Sequence, residues 1–457
     1  MNLTESGYLA QPETKRLCER WANRISLAQE KYFKGEDMGL ERKAALAKQL
    51  ENTQKFIKYQ LSEGIQSSDI GQYKRFALDM VTAVVSNLIA PEIVSVQPID
   101  NRVGMINYIK YIYGSDKGKT HAGDTFADAR NMYASDPNYT AKLVDGEGVK
   151  LDDAKKLAEL KWTPVIPGTV AILIDEELKD NGAGKLVKAS DGTTEVGTID
   201  YTTGKISLTS AASAQVGLAT YQYNNEQIPM NDIPEIKLAI ESLPITARAR
   251  RLKAYYSFEA AYELNKEYGT DMQTQLNTQA AAEISHEIDI EICNDLLAGA
   301  NAGAPLTWSK AVPVGVSKMD HYDSFAITVE EGNAKIHQAT RRVSGNFIVC
   351  GTQAAVIIKA NRQFVSAHPS DVTGPYYAGT LGVNKVFVNP EYDQYAFLIG
   401  YKGENLLNAG YVYAPYMPIM TTDLVQLEDM AGRKGWATMY GKLMLNDKFY
   451  IAGKVTA

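Results

Sequence analysis

Apolar positions along the first 65 or so residues are sparse and helically spaced. Leu17, Trp21, Ile25, Ala28 and Tyr32 form one stripe, and Leu46, Leu50, Phe56 and Leu61 a looser second one. Both stripes are narrow, which predicts polar helices lying on another surface instead of building a core. A broader face follows. Ile70, Tyr73, Ala77, Met80, Val81, Val84 and Leu88 predict a helix from about Asp69 to Ala90, stopped by Pro91. IVSVQPI and VGMINYIKYIY then read as strands or extended chain.

Between Trp162 and Asn224 the period changes from helical to alternating. Gly197–Thr209 has two alternating runs around a turn containing Gly204, and Gly217–Asn224 alternates again. This predicts a small β-module at about 162–224, inserted in a larger domain. Past it, a helix Ser257–Tyr268 closes at Gly269, and a longer one begins near Thr270, where Thr270 and Gln273 have capping-box spacing. Met272, Leu276, Ala280, Ile284, Ile288, Ile292 and Leu296 recur every four residues, giving a helix roughly 40 Å long. A coiled coil is the competing reading, but a period of four drifts off a 3.5-residue seam within a few turns. After Gly299 mixed elements predict an α+β domain with a central sheet, and the C-terminal stretches YVYAPYMPIMTTDLV and KGWATMYGKLMLNDKFYIAG return to strands.

Composition narrows the class. The 457 residues are 45% apolar and 22% charged, with a formal charge of −7, the profile of a water-soluble globular protein without the basic field of a nucleic-acid coat. Tyr is abundant at 27 against 11 Phe, which suits extended interfaces and half-buried strands alike. Cys18, Cys293 and Cys350 are too scattered for a disulfide framework or zinc site. The stretch MNLTESGYLAQPETKR has no apolar segment of a signal peptide, and no run reaches a membrane span. A reducing, aqueous compartment and no membrane partner are therefore expected.

Candidate chemistry is thin. Gly118-Lys119-Thr120 imitates a phosphate loop, and VAILIDE (Val170–Glu176) imitates the strand that accompanies one. The spacing fails: the motif needs its first Gly where Tyr113 stands, and no alternating βα units surround it. A charged flexible loop tip is the expectation. The five His are isolated; Asp320-His321-Tyr322-Asp323 is the one stretch with metal-ligand character, although a lone loop His is usually only that. Asp145-Gly-Glu-Gly lacks the EF-hand pattern, and no nucleophile elbow or Cys-x-x-Cys occurs. No catalytic, cofactor or metal site is expected, and no enzyme.

The basic run ITARARRLKA (Ile245–Ala254) remains. In a strand Arg248 and Arg250 point one way and Arg251 and Lys253 the other, which suits salt bridges between subunits as well as phosphate contacts. The acidic helix that follows offers Glu283, Glu287, Asp289 and Glu291 as partners. Lys117, Lys119, Arg248, Arg250, Arg251, Lys253, Glu283 and Glu287 are therefore the candidate inter-subunit contacts.

Three stretches resemble, in order, the major capsid proteins of contractile-tailed bacteriophages. They are NLIAPEIVSVQPIDNRVGMINYIKYIYG, then ARARRLKAYYSFEAAYELNKEYGTDMQTQLNTQAAAEISHEIDIEI, then LGVNKVFVNPEYDQYAFLIGYKGENLLNAGYVYAPYMPI, together covering most of Asn87–Ile419. The resemblance implies the tailed-phage capsid fold shared with encapsulins, in the α+β class. Its expected division is a helical N-terminal arm at 1–66, packed on neighbouring subunits, and a helix with strands at 67–113. An extended loop at 114–235 would reach over a neighbour and carry the β-module on the shell exterior. A peripheral domain with a spine helix would occupy 236–299, an axial domain 300–410, and strands returning to the peripheral domain 411–457.

The function so implied is a self-assembling subunit of hexameric, and in some copies pentameric, capsomers in an icosahedral head shell around double-stranded DNA. Scaffold, portal and decoration proteins would be its partners, with DNA contacted non-specifically, in a virion assembled in the host cytoplasm. A pentameric vertex paralogue, an encapsulin-like compartment and a nucleotide-binding enzyme are the alternatives. Relatives often lose an N-terminal piece to a protease cutting after Glu; Leu61-Ser-Glu-Gly64 has that form, and the expectation is that it stays uncut. No Lys–Asn pair stands out for covalent cross-linking.

Overall fold

The predicted 40 Å helix forms as Met272–Ala298. Its N-cap is Asp271, whose carboxylate accepts from Thr274 N at 3.1 Å, one residue beyond the expected capping box; Thr270 itself lies outside the described residues. Ahead of it the helix Phe258–Tyr268 is capped by the Ser257 hydroxyl and ends at Gly269 in the left-handed region (φ 64°). The computed structural model describes residues 12–33, 37–62, 81–82, 88–128, 135–226, 233–269, 271–367, 374–403, 409–422, 425–426 and 431–456. Most of the helix expected over 69–90 lies outside them, as do Glu63 and Gly64 of the candidate cleavage site.

The chain divides into two compact units, one of 109–128 with 132–240, the other containing the remainder. In the larger unit the spine helix faces a five-stranded sheet, ordered Ser95–Val96, Tyr411–Thr421, Ala431–Met444, Arg248–Ser257, with Val425–Gln426 also paired to Ala431–Met444. The predicted row Ala280, Ile284, Ile288, Ile292 and Leu296 is buried. So is a second row, Asn277, Ala281, Ser285, Asp289 and Cys293, that hydrophobicity alone does not reveal. Its polar members are matched: Trp436 Nε1 donates to Asn277 at 3.0 Å, and the N–H groups of Ile89 and Ala90 donate to Asp289 at 3.0 and 2.9 Å.

The same unit contains a seven-stranded sheet ordered Leu306–Ser309, Tyr450–Thr456, Ala396–Gly400, Phe347–Cys350, Asn384–Val388, Tyr376–Leu381, Phe364–Ser366. Its central strands are buried on both faces. Phe347, Val349 and Leu398 face the spine-helix core, while Ile348, Cys350, Phe397 and Ile399 face a second core under the helices Phe325–Thr340 and Thr352–Ala360. The last strand, Tyr450–Thr456, joins this sheet and not the one beneath the spine helix.

Helices α1 (Pro12–Arg20), α2 (Ala22–Phe33) and α3 (Leu40–Ser62) pack on their own chain. Leu46, Ala47 and Leu50 enter the spine-helix core. Buried polar groups fix the docking: Asn52 Nδ2 donates to Ile99 O and Tyr416 O, both at 3.0 Å, and Arg42 donates to Leu88 O at 2.9 Å. Lys48 meets Asp100 at 2.7 Å and Lys402 meets Glu41 at 3.0 Å. The stripe looked narrow because, among the described residues, five of the eleven that α3 buries are polar.

In the smaller unit eight antiparallel strands follow the order Leu143–Lys150, Val216–Gln222, Ala171–Leu173, Glu177–Asp180, Lys185–Lys188, Glu195–Asp200, Lys205–Leu208, Leu157–Glu159. The hairpin forms around Gly204, whose N–H donates to Asp200 O at 2.8 Å with φ at 71°. The sheet starts at Leu143, ahead of the expected 162, because LVDGEGVK interrupts its alternation with acidic and glycine residues. The chain enters through the strand Val103–Tyr113 and leaves through Ile236–Thr246, neighbours in one three-stranded sheet. Gly114 N donates to Glu235 O at 2.6 Å and Ala247 N to Arg102 O at 2.8 Å, so the two strands run antiparallel. A Cβ on Gly114 would come within 2.8 Å of Glu235, so that close pairing needs glycine.

Candidate assembly surfaces

The loop around Gly118-Lys119-Thr120 is held by hydrogen bonds within the chain. Lys117 and Thr120 exchange backbone hydrogen bonds at 2.9 and 3.1 Å across Gly118, which sits at φ 59° with Asp145 O only 2.5 Å from where a Cβ would stand. Lys117 is 2% exposed. Its ammonium donates to the carbonyls of Asn138, Tyr139 and Ala141 and lies over the rings of Trp162 and Tyr223. Burial pulls it down to about 8, opposed by Asp136. Every donor is spent inside the chain, which removes Lys117 from the surface contacts expected of it. Lys119 is exposed and pairs with Asp145 at 2.7 Å; the Thr120 hydroxyl donates to Asp136 at 2.9 Å. A strand, Thr125–Asp128, follows where a phosphate site needs a helix N-terminus, so these residues do not cradle a nucleotide. Likewise Asp175 of VAILIDE accepts from Ser213 N and Ala214 N, capping a turn.

The metal-like stretch is also accounted for. Asp320 and Asp323 hold Arg362 at 2.8 and 3.3 Å, and His321 stacks on Trp308 with centroids 4.7 Å apart. Among the described residues no group of acidic, His or Cys side chains is arranged for a metal.

The basic strand Arg248–Ser257 pairs antiparallel with Ala431–Met444, and its two faces differ. Arg250 turns toward the spine helix, meeting Glu287 at 3.1 Å and also Glu291, with its guanidinium over the Tyr440 ring. Glu291 accepts further from Tyr440 and from Lys442 at 2.7 Å; Lys442 reaches Asp295 at 2.6 Å, and the Tyr411 hydroxyl donates to Asp295 at 2.7 Å. Burial, the largest single effect, pushes Glu291 up, but Lys442, Tyr440 and Arg250 together outweigh it and hold the carboxyl below its ordinary range. Arg250 and Glu287, expected to serve inter-subunit or structural pairing, meet within one chain. Arg248 lines a cavity of about 610 Å³ with Ile245, Tyr440 and Lys442. Arg251 and Lys253 project from the opposite face, exposed, and Glu283 is exposed on the spine helix. None of these four has an ion-pair partner among the described residues.

Exposed apolar side chains mark further surfaces. In the smaller unit Ile236, Leu238 and Ile240 are 64, 56 and 67% exposed and share one face of their strand. In the larger unit the loop around Val312, Val314 and Val316 leaves all three exposed. No helix among the described residues is long and apolar enough to cross a membrane.

Comparison with known proteins identifies the setting of these surfaces. The chain is 26% identical over 424 residues to the major capsid protein of Escherichia phage AR1, covering 83% of this chain and 77% of that one. It is 25% identical over 417 residues to the major capsid protein of Enterobacteria phage T4, with the same coverage. Among solved structures it is similar to the capsid of Myoviridae phage XM1, with a TM-score of 0.34, 9% identity, and coverage of 51% of this chain and 81% of that one. Residues 70–457 match the family described as major capsid protein Gp23, and the chain belongs to that family.

Proposed function

We infer that this chain is the repeating subunit of a tailed-phage head shell. The observation that carries the reading is family membership over residues 70–457. The surfaces support it, since strands with both faces open to water and an apolar loop in the larger unit are costly in an isolated monomer and useful in an assembly.

In this reading the antiparallel pair Val103–Tyr113 and Ile236–Thr246 is the extended loop, which lies on a neighbouring subunit through Ile236, Leu238 and Ile240. The eight-stranded unit is its insertion, facing the shell exterior. The two sheets of the larger unit are the peripheral and axial domains. Heterologous contacts around the axial domains close hexamers, and pentamers at vertices, of an icosahedral shell. That shell encloses double-stranded DNA, touched non-specifically, and is built in the host cytoplasm with scaffold and portal proteins and with decoration proteins on its exterior. A formal charge of −7 lets it contain DNA without gripping it.

Sedimentation and negative-stain microscopy of the chain, expressed alone and with a co-encoded scaffold, test the reading. Rings, tubes or shells are expected. A monodisperse monomer under both conditions would refute it.

A further inference from the structure

Among the described residues the helix Phe258–Tyr268 is the least covered of the larger unit's helices. Of its described side chains only Ala261 and Leu264 are even half-buried, while Tyr262 and Tyr268 are 68 and 73% exposed. It has good caps at Ser257 and Gly269, yet its 11 residues are fewer than an unpacked helix needs to persist in water. Glu259, Glu263 and Glu267 recur every four residues along its outer side, and none has an ion-pair partner among the described residues.

Immediately before it in sequence lies the complementary surface. Ala249, Arg251, Lys253 and Tyr255 alternate along the outer face of the basic strand, all exposed. Opposite Arg251 and Lys253 in the paired strand stand Ala437 and Gly435, small residues that leave the sheet surface shallow. The spacings agree: carboxylates four apart on a helix are about 6 Å apart along its axis, and side chains two apart on a strand about 7 Å. Two successive glutamates thus reach Arg251 and Lys253 together, within the freedom of those long side chains. The helix does not satisfy this face of its own chain, since neither its glutamates nor these cations pair there.

We propose that the acidic outer side of Phe258–Tyr268 docks on the Arg251–Lys253 sheet face of a second copy of this chain. The contact is heterologous, helix to sheet, so each copy offers both halves and the contact propagates around a ring. Being made of exposed charges, it fixes register and weakens as salt rises. The inference rests on the shell reading above, and its test separates the two.

The experiment uses the full chain with its scaffold and compares particle yield by sedimentation and microscopy. One variant carries Glu259→Lys, Glu263→Lys and Glu267→Lys, a second Arg251→Glu and Lys253→Glu, and a third all five substitutions. Circular dichroism and thermal melts establish that each is folded. The first two are expected to lose at least about tenfold in particle yield. Combined in the third variant they regain it, because each acidic surface again meets a basic one. Either single-sided variant assembling like the unaltered chain, or a folded third variant that stays unassembled, would overturn the proposal. An unaltered chain that forms no particles would overturn the shell reading and this interface with it.

Discussion

Asp289 is a carboxylate placed where a carboxylate is expensive. It is 3% exposed in the middle of the spine helix, accepts the N–H groups of Ile89 and Ala90, and senses Arg42 on α3. Burial outweighs those favourable contacts and raises the acid from 3.8 to about 7. Between roughly pH 4 and 7 the folded chain thus holds a proton that the unfolded chain has released. Stability from this group is complete below pH 4 and is lost as pH rises to 7. A shift of about three pH units corresponds to about 4 kcal/mol, and about half of that is a prudent expectation once relaxation is allowed. Asp289→Asn keeps an oxygen for both N–H groups and carries no charge. At pH 8 it is expected to be more stable than the unaltered chain by about 1–3 kcal/mol, with the advantage shrinking as pH falls and gone only below about pH 4. Urea denaturation of both chains at pH 5, 6, 7 and 8 reads the difference, in which every other titrating group cancels. An Asn variant destabilised equally at all four values would refute the reasoning. It would mean that Arg42 and the two N–H groups keep the carboxylate ionised despite its burial.

Other substitutions probe other junctions. Lys117→Met leaves three carbonyls without their donor and should destabilise the smaller unit by about 2–4 kcal/mol in urea melts, whereas Lys119→Ala, which removes an exposed pair, should cost under about 0.5 kcal/mol. Equilibrium dialysis should find no nucleotide bound with or without Lys119. Trp436→Phe deprives buried Asn277 of its donor and should cost about 2 kcal/mol; adding Asn277→Ala should cost less than the sum of the two changes. Intact mass of mature particles should find residues 1–63 retained, since α1–α3 are docked in the chain's own core; a chain beginning at Gly64 would contradict this.

What the sequence made legible was geometry that repeats. The four-residue period of Ile284, Ile288 and Ile292 and the alternation around Gly204 each carry their structure in composition. Polar residues that are buried because they are matched do not. Asn277 and Asp289 look like solvent positions on the spine helix, and Arg42, Lys48 and Asn52 make α3 look like a surface helix. Their partners lie far away in sequence, and only folding brings them close. Among the candidate contacts, alternation correctly divided Arg250 from Arg251 and Lys253, yet it had no means of seeing that Lys117 turns inward to three carbonyls. Nor does any local pattern tell Tyr450–Thr456 which of two sheets to join; that depends on pairing with Ala396–Gly400 and Leu306–Ser309.

The hydrogen bond from Gly114 to Glu235 gives the smaller unit the standing of a removable cassette. Everything between those two residues begins and ends one strand spacing apart, about 5 Å. Excising it leaves two antiparallel ends that a short turn can rejoin. A lineage can therefore lose, exchange or enlarge this unit in one recombination without reregistering the strands that carry it, and foreign sequence grafted at the same junction inherits a ready-made stalk.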